Sequence, residues 1–230
     1  MMKRFFLAIL ALAQAAAGPS TSPTGRTIRG EVVVRKNGVE QKAEAWVYLE
    51  DVTKHRRRSG LPGTGIRAEI RQKGKEFVPH VVVIPAGAVV AFPNYDDEEH
   101  NVFSPTDPPG QWDLGRYSTD HKGKTHEFDV SYEIDIYCDI HKEMWAKVKV
   151  VDSPYIAPVH DGHFEIPNVP VGDYKVIAWT PNGQDGQSEI VKLTAESTKD
   201  VTLAAPRHAE AGDPAPHHRK NGSSYGLYKP

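Results

Sequence analysis

The sequence predicts an all-β protein with a sandwich or barrel architecture, and three observations carry that expectation. Short runs in which apolar and polar residues alternate recur from about residue 27 to residue 204. Turn-forming pairs punctuate them: Asn37-Gly38, Pro85-Ala86-Gly87, Pro109-Gly110, Asp161-Gly162, Gly172-Asp173 and Asn182-Gly183. No stretch beyond the N-terminal one sustains a helical period, so no amphipathic helix face can be drawn.

The first element is not part of the fold. Met1-Met2-Lys3-Arg4 is a basic start, Phe5 to Ala13 is apolar, and Ala15-Ala16-Ala17 has the small-x-small pattern of a signal-peptidase site. Residues 1–17 are therefore predicted to be a signal peptide cut before Gly18, which makes the protein exported and, by expectation, periplasmic. The run is too short to span a bilayer, and no later segment approaches the ~20 apolar residues that a membrane helix needs.

A Pro/Ser/Thr-rich spacer, Gly18 to Thr24, leads into the strands. Alternation marks Glu31–Val34, Ala45–Leu49, Ile66–Ile70, Val81–Ile84, Val89–Phe92, Tyr132–Cys138, Ala146–Val151, Tyr174–Trp179 and Val201–Leu203. Between the second and third lies His55-Arg56-Arg57-Arg58-Ser59-Gly60-Leu61-Pro62-Gly63, a basic surface loop whose alternative reading is a polyanion-binding segment. Residues 205–230 hold Pro, His, Gly and charge with few apolar anchors, and are expected to be a disordered tail.

Composition narrows the function. The 230 residues carry 28 Lys and Arg against 30 Asp and Glu, a net charge of −2, and losing Lys3 and Arg4 makes the chain more acidic still. That is not the basic excess of a nucleic-acid binder. There is one cysteine, Cys138, so an internal disulfide framework is excluded. A single thiol in an exported chain points to intermolecular pairing, a reactive thiol or a metal ligand.

The neighbours of Cys138 choose among these. Tyr132, Ile134, Ile136 and Cys138 share one face of a strand, with Glu133, Asp135 and Tyr137 on the other. Cys138 then points inward where the chain turns through Asp139-Ile140-His141-Lys142-Glu143-Met144 and returns on a strand with Ala146, Val148 and Val150 inward. Cys-x-x-His-x-x-Met is a spacing that lets one loop wrap one ion. A further ligand must come from elsewhere, and His100 is the candidate, after an inward-alternating strand and the acidic turn Asp96–Glu99. Two His, one Cys thiolate and a weak axial Met are the ligand set of a blue-copper electron-transfer centre. Zinc would use Cys and two His but has little use for the Met. Thiol catalysis lacks a legible His relay.

At these residues the sequence resembles the cupredoxins. His100-Asn101-Val102 together with Cys138-x-x-His141-x-x-Met144 looks like a cupredoxin with the short ligand loop of amicyanin. The larger pattern resembles plastocyanin-like proteins of the methylamine-utilisation type, in which a cupredoxin Greek-key β-sandwich lies beside a transthyretin-like, carboxypeptidase-regulatory-like β-sandwich. The segments concerned are Gln72-Lys73…Phe77-Val78-Pro79, Gly87…Phe92-Pro93-Asn94, His100–Ser104, Asp113-Leu114-Gly115…Tyr117, Cys138–Met144 and Asp161–Tyr174. The resemblance implies His100, Cys138, His141 and Met144 as ligands of one type 1 copper ion, Asn101 as a tie between the two ligand loops, and His141 as the electron port.

Gly30–Val34 and Ala45–Leu49 resemble the opening strands of the regulatory-like sandwich, whose usual sequel appears only at Asp161–Tyr174. The expected organisation is therefore a sandwich made of 27–58 and 153–204, with a cupredoxin domain, 64–152, inserted into it. Two consecutive domains are the alternative. The expected function is an electron carrier, not an enzyme, exchanging electrons with a redox protein such as a c-type cytochrome or a periplasmic oxidoreductase. Asp96, Asp97, Glu98 and Glu99 read either as a solvated turn or as a patch that steers a basic partner. Copper storage or delivery without redox turnover is the second reading, with His208, His217 and His218 of the tail as weak sites. A surface interaction module is the third. His160 and His163 flank an Asp-Gly turn and read as surface residues.

Overall fold

A computed structural model describes residues 26–52, 67–105, 111–181, 188–194 and 199–206, and among these every regular element is a strand. The chain opens with β1 (Arg26–Lys36), β2 (Val39–Glu40) and β3 (Trp46–Asp51). Next come β4 (Arg67–Glu69), β5 (Arg71–Gln72), β6 (Phe77–Val78), β7 (Val81–Pro85), β8 (Ala88–Asn94) and β9 (His100–Ser104). They are followed by β10 (Trp112–Tyr117), β11 (Asp120–Phe128), β12 (Glu133–Tyr137) and β13 (Trp145–Val151). The chain closes with β14 (Ile156–Pro158), β15 (His163–Val169), β16 (Gly172–Trp179), β17 (Ser188–Leu193) and β18 (Lys199–Pro206).

Pairing sorts these strands into four sheets. One has the order β15-β1-β18, with β2 also on β1, and another the order β14-β3-β16-β17. Their inward residues, among them Ile28, Val32, Val47, Leu49, Phe164, Ile166, Val176 and Leu203, form one apolar cluster. The other two sheets run β10-β9-β12-β13-β7 and β11-β8-β5-β6, with β4 on β8. They enclose Ile70, Phe77, Val90, Phe92, Val102, Phe128, Ile134, Ile136, Cys138, Met144 and Val148. Each fully buried aliphatic or aromatic side chain in such a core contributes about 1.5–3 kcal/mol of transfer free energy. Residues 46–51 pair with 156–158 and with 174–179, while β1 is flanked by β15 and, in parallel, by β18.

A third, smaller cluster lies where the two sandwiches meet. Trp46, Tyr48, Ile177 and Trp179 come from one, Val81 and Val151 from the other. Trp46 and Trp179 pack with ring centroids 5.6 Å apart, and the Trp179 indole N–H donates to Glu133 at 3.2 Å. Lys147 bridges Glu133 and Asp135 at 3.1 and 2.7 Å. The outward polar face of β12 and β13 is thus an ionic rim to an apolar contact.

Several expectations need correction. Tyr137, placed outward by alternation, is buried, because Phe103 on the adjoining strand covers it at a 6.2 Å ring separation. The expected tail begins too early: β18 continues its parallel ladder with β1 through Ala205 and Pro206, and Ala205 is fully buried. β10, β11 and β17 were not expected from alternation: Gly115 and Arg116 interrupt it in β10, β11 is polar at most positions, and β17 leaves Ile190 exposed beside buried Val191. The signal peptide, the basic loop at His55–Gly63, and His208, His217 and His218 lie outside the described residues.

Candidate metal centre

The site forms at one end of the second sandwich. His100 opens β9, every residue of which is buried, and Cys138 lies one residue beyond β12. β9 and β12 are neighbours in one sheet, so the imidazole and the thiol are delivered side by side from strands 38 residues apart in sequence (Asp139 N–H reaches Asn101 Oδ1 at 3.2 Å). The turn between β12 and β13 is closed by two backbone bonds, Cys138 N–H to Met144 O and Met144 N–H to His141 O, both 3.2 Å. This tight loop aims His141 back at Cys138.

The three donors converge. His100 Nδ1 lies 3.1 Å from His141 Nδ1, and Cys138 Sγ lies 3.8 Å from His141 Nδ1. One donor atom from each of His100, Cys138 and His141 falls within 4.8 Å of the others. Met144 is fully buried in the same apolar cluster as Cys138, at the base of the loop. The separations lie near those a shared ion needs, with sulfur to nitrogen at 3.8 Å and the two nitrogens, at 3.1 Å, somewhat close. With bonds of about 2.0 Å to imidazole and 2.3 Å to thiolate, trigonal coordination needs nitrogens about 3.5 Å apart and nitrogen–sulfur separations of about 3.7 Å. A buried set of two imidazoles and one thiolate with a thioether nearby is also the combination that suits copper.

Electrostatics prepare the thiolate, which is the ligating form. Burial pushes the Cys138 thiol up, but His100 and the backbone N–H groups around it outweigh burial and leave it below its ordinary value. The Ile140 N–H donates to Cys138 Sγ at 3.4 Å. Burial opposes protonation of His100, yet its contacts with Cys138 and Asp96 raise it overall. Burial, then repulsion from His100, lowers His141. Burial works against ionising Asp96 too, but N–H bonds from Lys75 and Gly74 and the contact with His100 hold it below the usual carboxylate range.

Around the donors lies a polar shell that runs from buried Asn101 and Asp139 out to exposed Asp113, Arg116 and Glu98. Asn101 accepts from the Asp139 N–H and donates to Asp113 Oδ1 at 2.6 Å, which links β9 to the ligand loop and to β10. Arg116 pairs with Asp139 at 2.8 Å. Asp96 Oδ2 lies 2.8 Å from His100 Nε2, and Glu98 Oε2 lies 3.3 Å from His141 Nε2. The solvated-turn reading of Asp96–Glu99 therefore does not hold for Asp96, whose side chain is 15% exposed. The signal for it in the sequence was the four-residue spacing from Asp96 to His100. His160 and His163 are exposed and bridge one another across their turn.

No family model matches the sequence, and no curated protein matches it. Among solved structures the chain is similar to amicyanin from Paracoccus versutus, at 18% identity over 45% of this chain and 98% of that one, TM-score 0.34. It is similar to a purple cupredoxin from Nitrosopumilus maritimus, at 22% identity over 36% of this chain and 99% of that one, TM-score 0.30. It is also similar to the copper-containing nitrite reductase of Thermus scotoductus SA-01, at 22% identity over 37% of this chain, TM-score 0.33, and spans only 22% of that enzyme's length.

Proposed function

We propose that the chain is an exported type 1 copper protein that carries single electrons between redox partners. Its cupredoxin module, 64–152, is inserted into a second sandwich made of 27–58 and 153–204, a reading supported by the pairing of 46–51 with 156–158 and 174–179. The observation that carries the proposal is the buried convergence of His100, Cys138 and His141 within 4.8 Å. Bound copper would supply a centre that gains and loses one electron. Cys138 would hold it as thiolate, His100 and His141 through Nδ1, and Met144 as the weak axial ligand. Both imidazoles are fixed from behind by carboxylates, and the 138–144 loop is fixed by Asn101, so the donors keep their places in either oxidation state. The exposed Asp97 and Glu99 beside the site favour a basic partner of the c-type cytochrome kind or a periplasmic oxidoreductase.

Titrating purified mature protein with Cu(II) tests this. An intense visible thiolate-to-copper band that disappears in Cys138→Ser, with a reversible one-electron wave in voltammetry, is the expected result. A colourless complex, or colour indifferent to Cys138, overturns it. A band without a reversible wave leaves a copper store in place of a carrier.

A further inference from the structure

We infer that the turn carrying Asp96 and Glu98 is a carboxylate clamp on the outer nitrogens of both imidazoles, and that it biases the centre toward the more positive ion. This rests on the proposed copper function. The two carboxylates come from one turn and reach two different ligands: Asp96 to His100 Nε2 at 2.8 Å, Glu98 to His141 Nε2 at 3.3 Å. A carboxylate on Nε2 keeps a proton there, which makes Nδ1 the nitrogen available to ligate, on the side where the two Nδ1 atoms meet at 3.1 Å.

The clamp is itself held. Asp96 Oδ1 accepts from the Gly74 N–H at 2.7 Å and Oδ2 from the Lys75 N–H at 3.0 Å. Those donors sit at the tip of the β5–β6 hairpin, where both central residues are left-handed, with φ of 67° at Gly74 and 62° at Lys75. The turn is closed by Lys73 N–H to Glu76 O at 3.0 Å. A left-handed non-glycine residue costs about 1 kcal/mol or more, and here that conformation aims successive N–H groups at one carboxylate. The same Lys75 pairs its ammonium with Glu98 Oε1 at 3.0 Å. One residue therefore orients both halves of the clamp, by its backbone and by its side chain. The Asn94 side chain and Thr119 hydroxyl bind the Asp96 backbone on either side, at 2.9 and 2.6 Å.

Asp96 and Glu98 act through the imidazoles and are positioning residues. A full negative charge behind each imidazole favours Cu(II) over Cu(I). The effect is larger at Asp96 than at Glu98, whose side chain is 48% exposed and so better screened.

The test compares mature wild-type protein with Asp96→Asn and Glu98→Gln. The readouts are Cu(II) affinity by chelator competition, reduction potential by voltammetry, and the visible band. Asp96→Asn is expected to weaken Cu(II) by about 10-fold or more. A tenfold loss borne by Cu(II) alone raises the potential by about 59 mV. Glu98→Gln moves both in the same direction by a smaller factor that shrinks in salt. Its side chain is half exposed, so this variant folds even if Asp96→Asn does not. A wild-type band with both variants' potentials unchanged overturns the clamp alone. A wild type without the band overturns the copper reading, and the clamp with it.

Discussion

The two sandwiches are built alike, each from two sheets closed on an apolar cluster, but they differ in what else they bury. Among the described residues the first, formed by β1–β3 and β14–β18, buries the polar side chains of Thr180 and, just before β14, Ser153. The second buries Gln72, Asn94, His100, Asn101, Ser104 and Asp139. Burying a polar group unpaired costs about 1–3 kcal/mol, and Gln72 Oε1 is one such group, so the sandwich that holds the thiol is the one that gives up stability to polar burial. The same architecture carries an almost wholly apolar core in one half and, on the proposed reading, a rigid metal holder in the other.

Two glycines give the strongest test of that contrast. A Cβ at Gly30 would overlap the Val201 backbone across the β1–β18 ladder, and a Cβ at Gly123 would overlap Phe92 and Pro93, at a φ of 71° that disfavours side chains. Each alanine variant is expected to cost about 3 kcal/mol. Gly30→Ala should lower the melting temperature yet leave copper affinity intact, while Gly123→Ala should lose both. Equal loss of affinity in the two variants would break the division of labour.

Asn101→Ala is next in size. It strands the Asp139 N–H and releases the ligand loop from β9, at an expected cost of about 1–3 kcal/mol. Chelator competition should show weaker copper retention, whereas removing the buried Thr180 side chain should change stability alone.

Much of this contrast was legible in the sequence, though unevenly. Cys138, His141 and Met144 stood out because a ligand loop is local, seven residues whose spacing survives any fold. His100 needed the strand and the acidic turn around it to be noticed. The partners of Asp96 and Glu98 were not legible, because they depend on the hairpin at Gly74-Lys75 being brought alongside by the pairing of β5 with β8. β11 escaped notice for a related reason. Its Lys124, Thr125 and Glu127 carry no apolar alternation, and its strand character comes from pairing with β8. Tyr137 shows the limit of period-two reasoning, since a strand covered on both faces buries its outward residues too.

The smallest effect concerns pH. His126 on β11 stacks on Trp112 at 4.1 Å and meets Phe128 edge-on at 4.8 Å. Burial lowers its affinity for protons below the ordinary histidine value, despite Asp129 and Glu127 nearby. The unfolded chain then binds a proton that the folded one resists. The stability that His126 contributes is complete above its unfolded value and falls as pH drops through it toward the folded one. Thermal melts between pH 7 and pH 5 should show this decline in wild type and a flatter profile in His126→Phe. Equal slopes would remove the contribution.

The β1–β18 ladder has a consequence for the order in which the molecule is made. Its cross-strand pair Arg29–Asp200 joins residues 171 apart, so the first sandwich cannot close until the chain has been made past residue 200. The strands of the second sandwich end at Val151, and every pairing within them is complete by then. The second sandwich is free to fold first, and in doing so draws β3 and β14, neighbours in the finished sheet, toward each other. A loop of that length is costly to close as free coil. Folded in its middle, it becomes a short bridge, and the sandwich that holds the candidate centre doubles as the splint for the other.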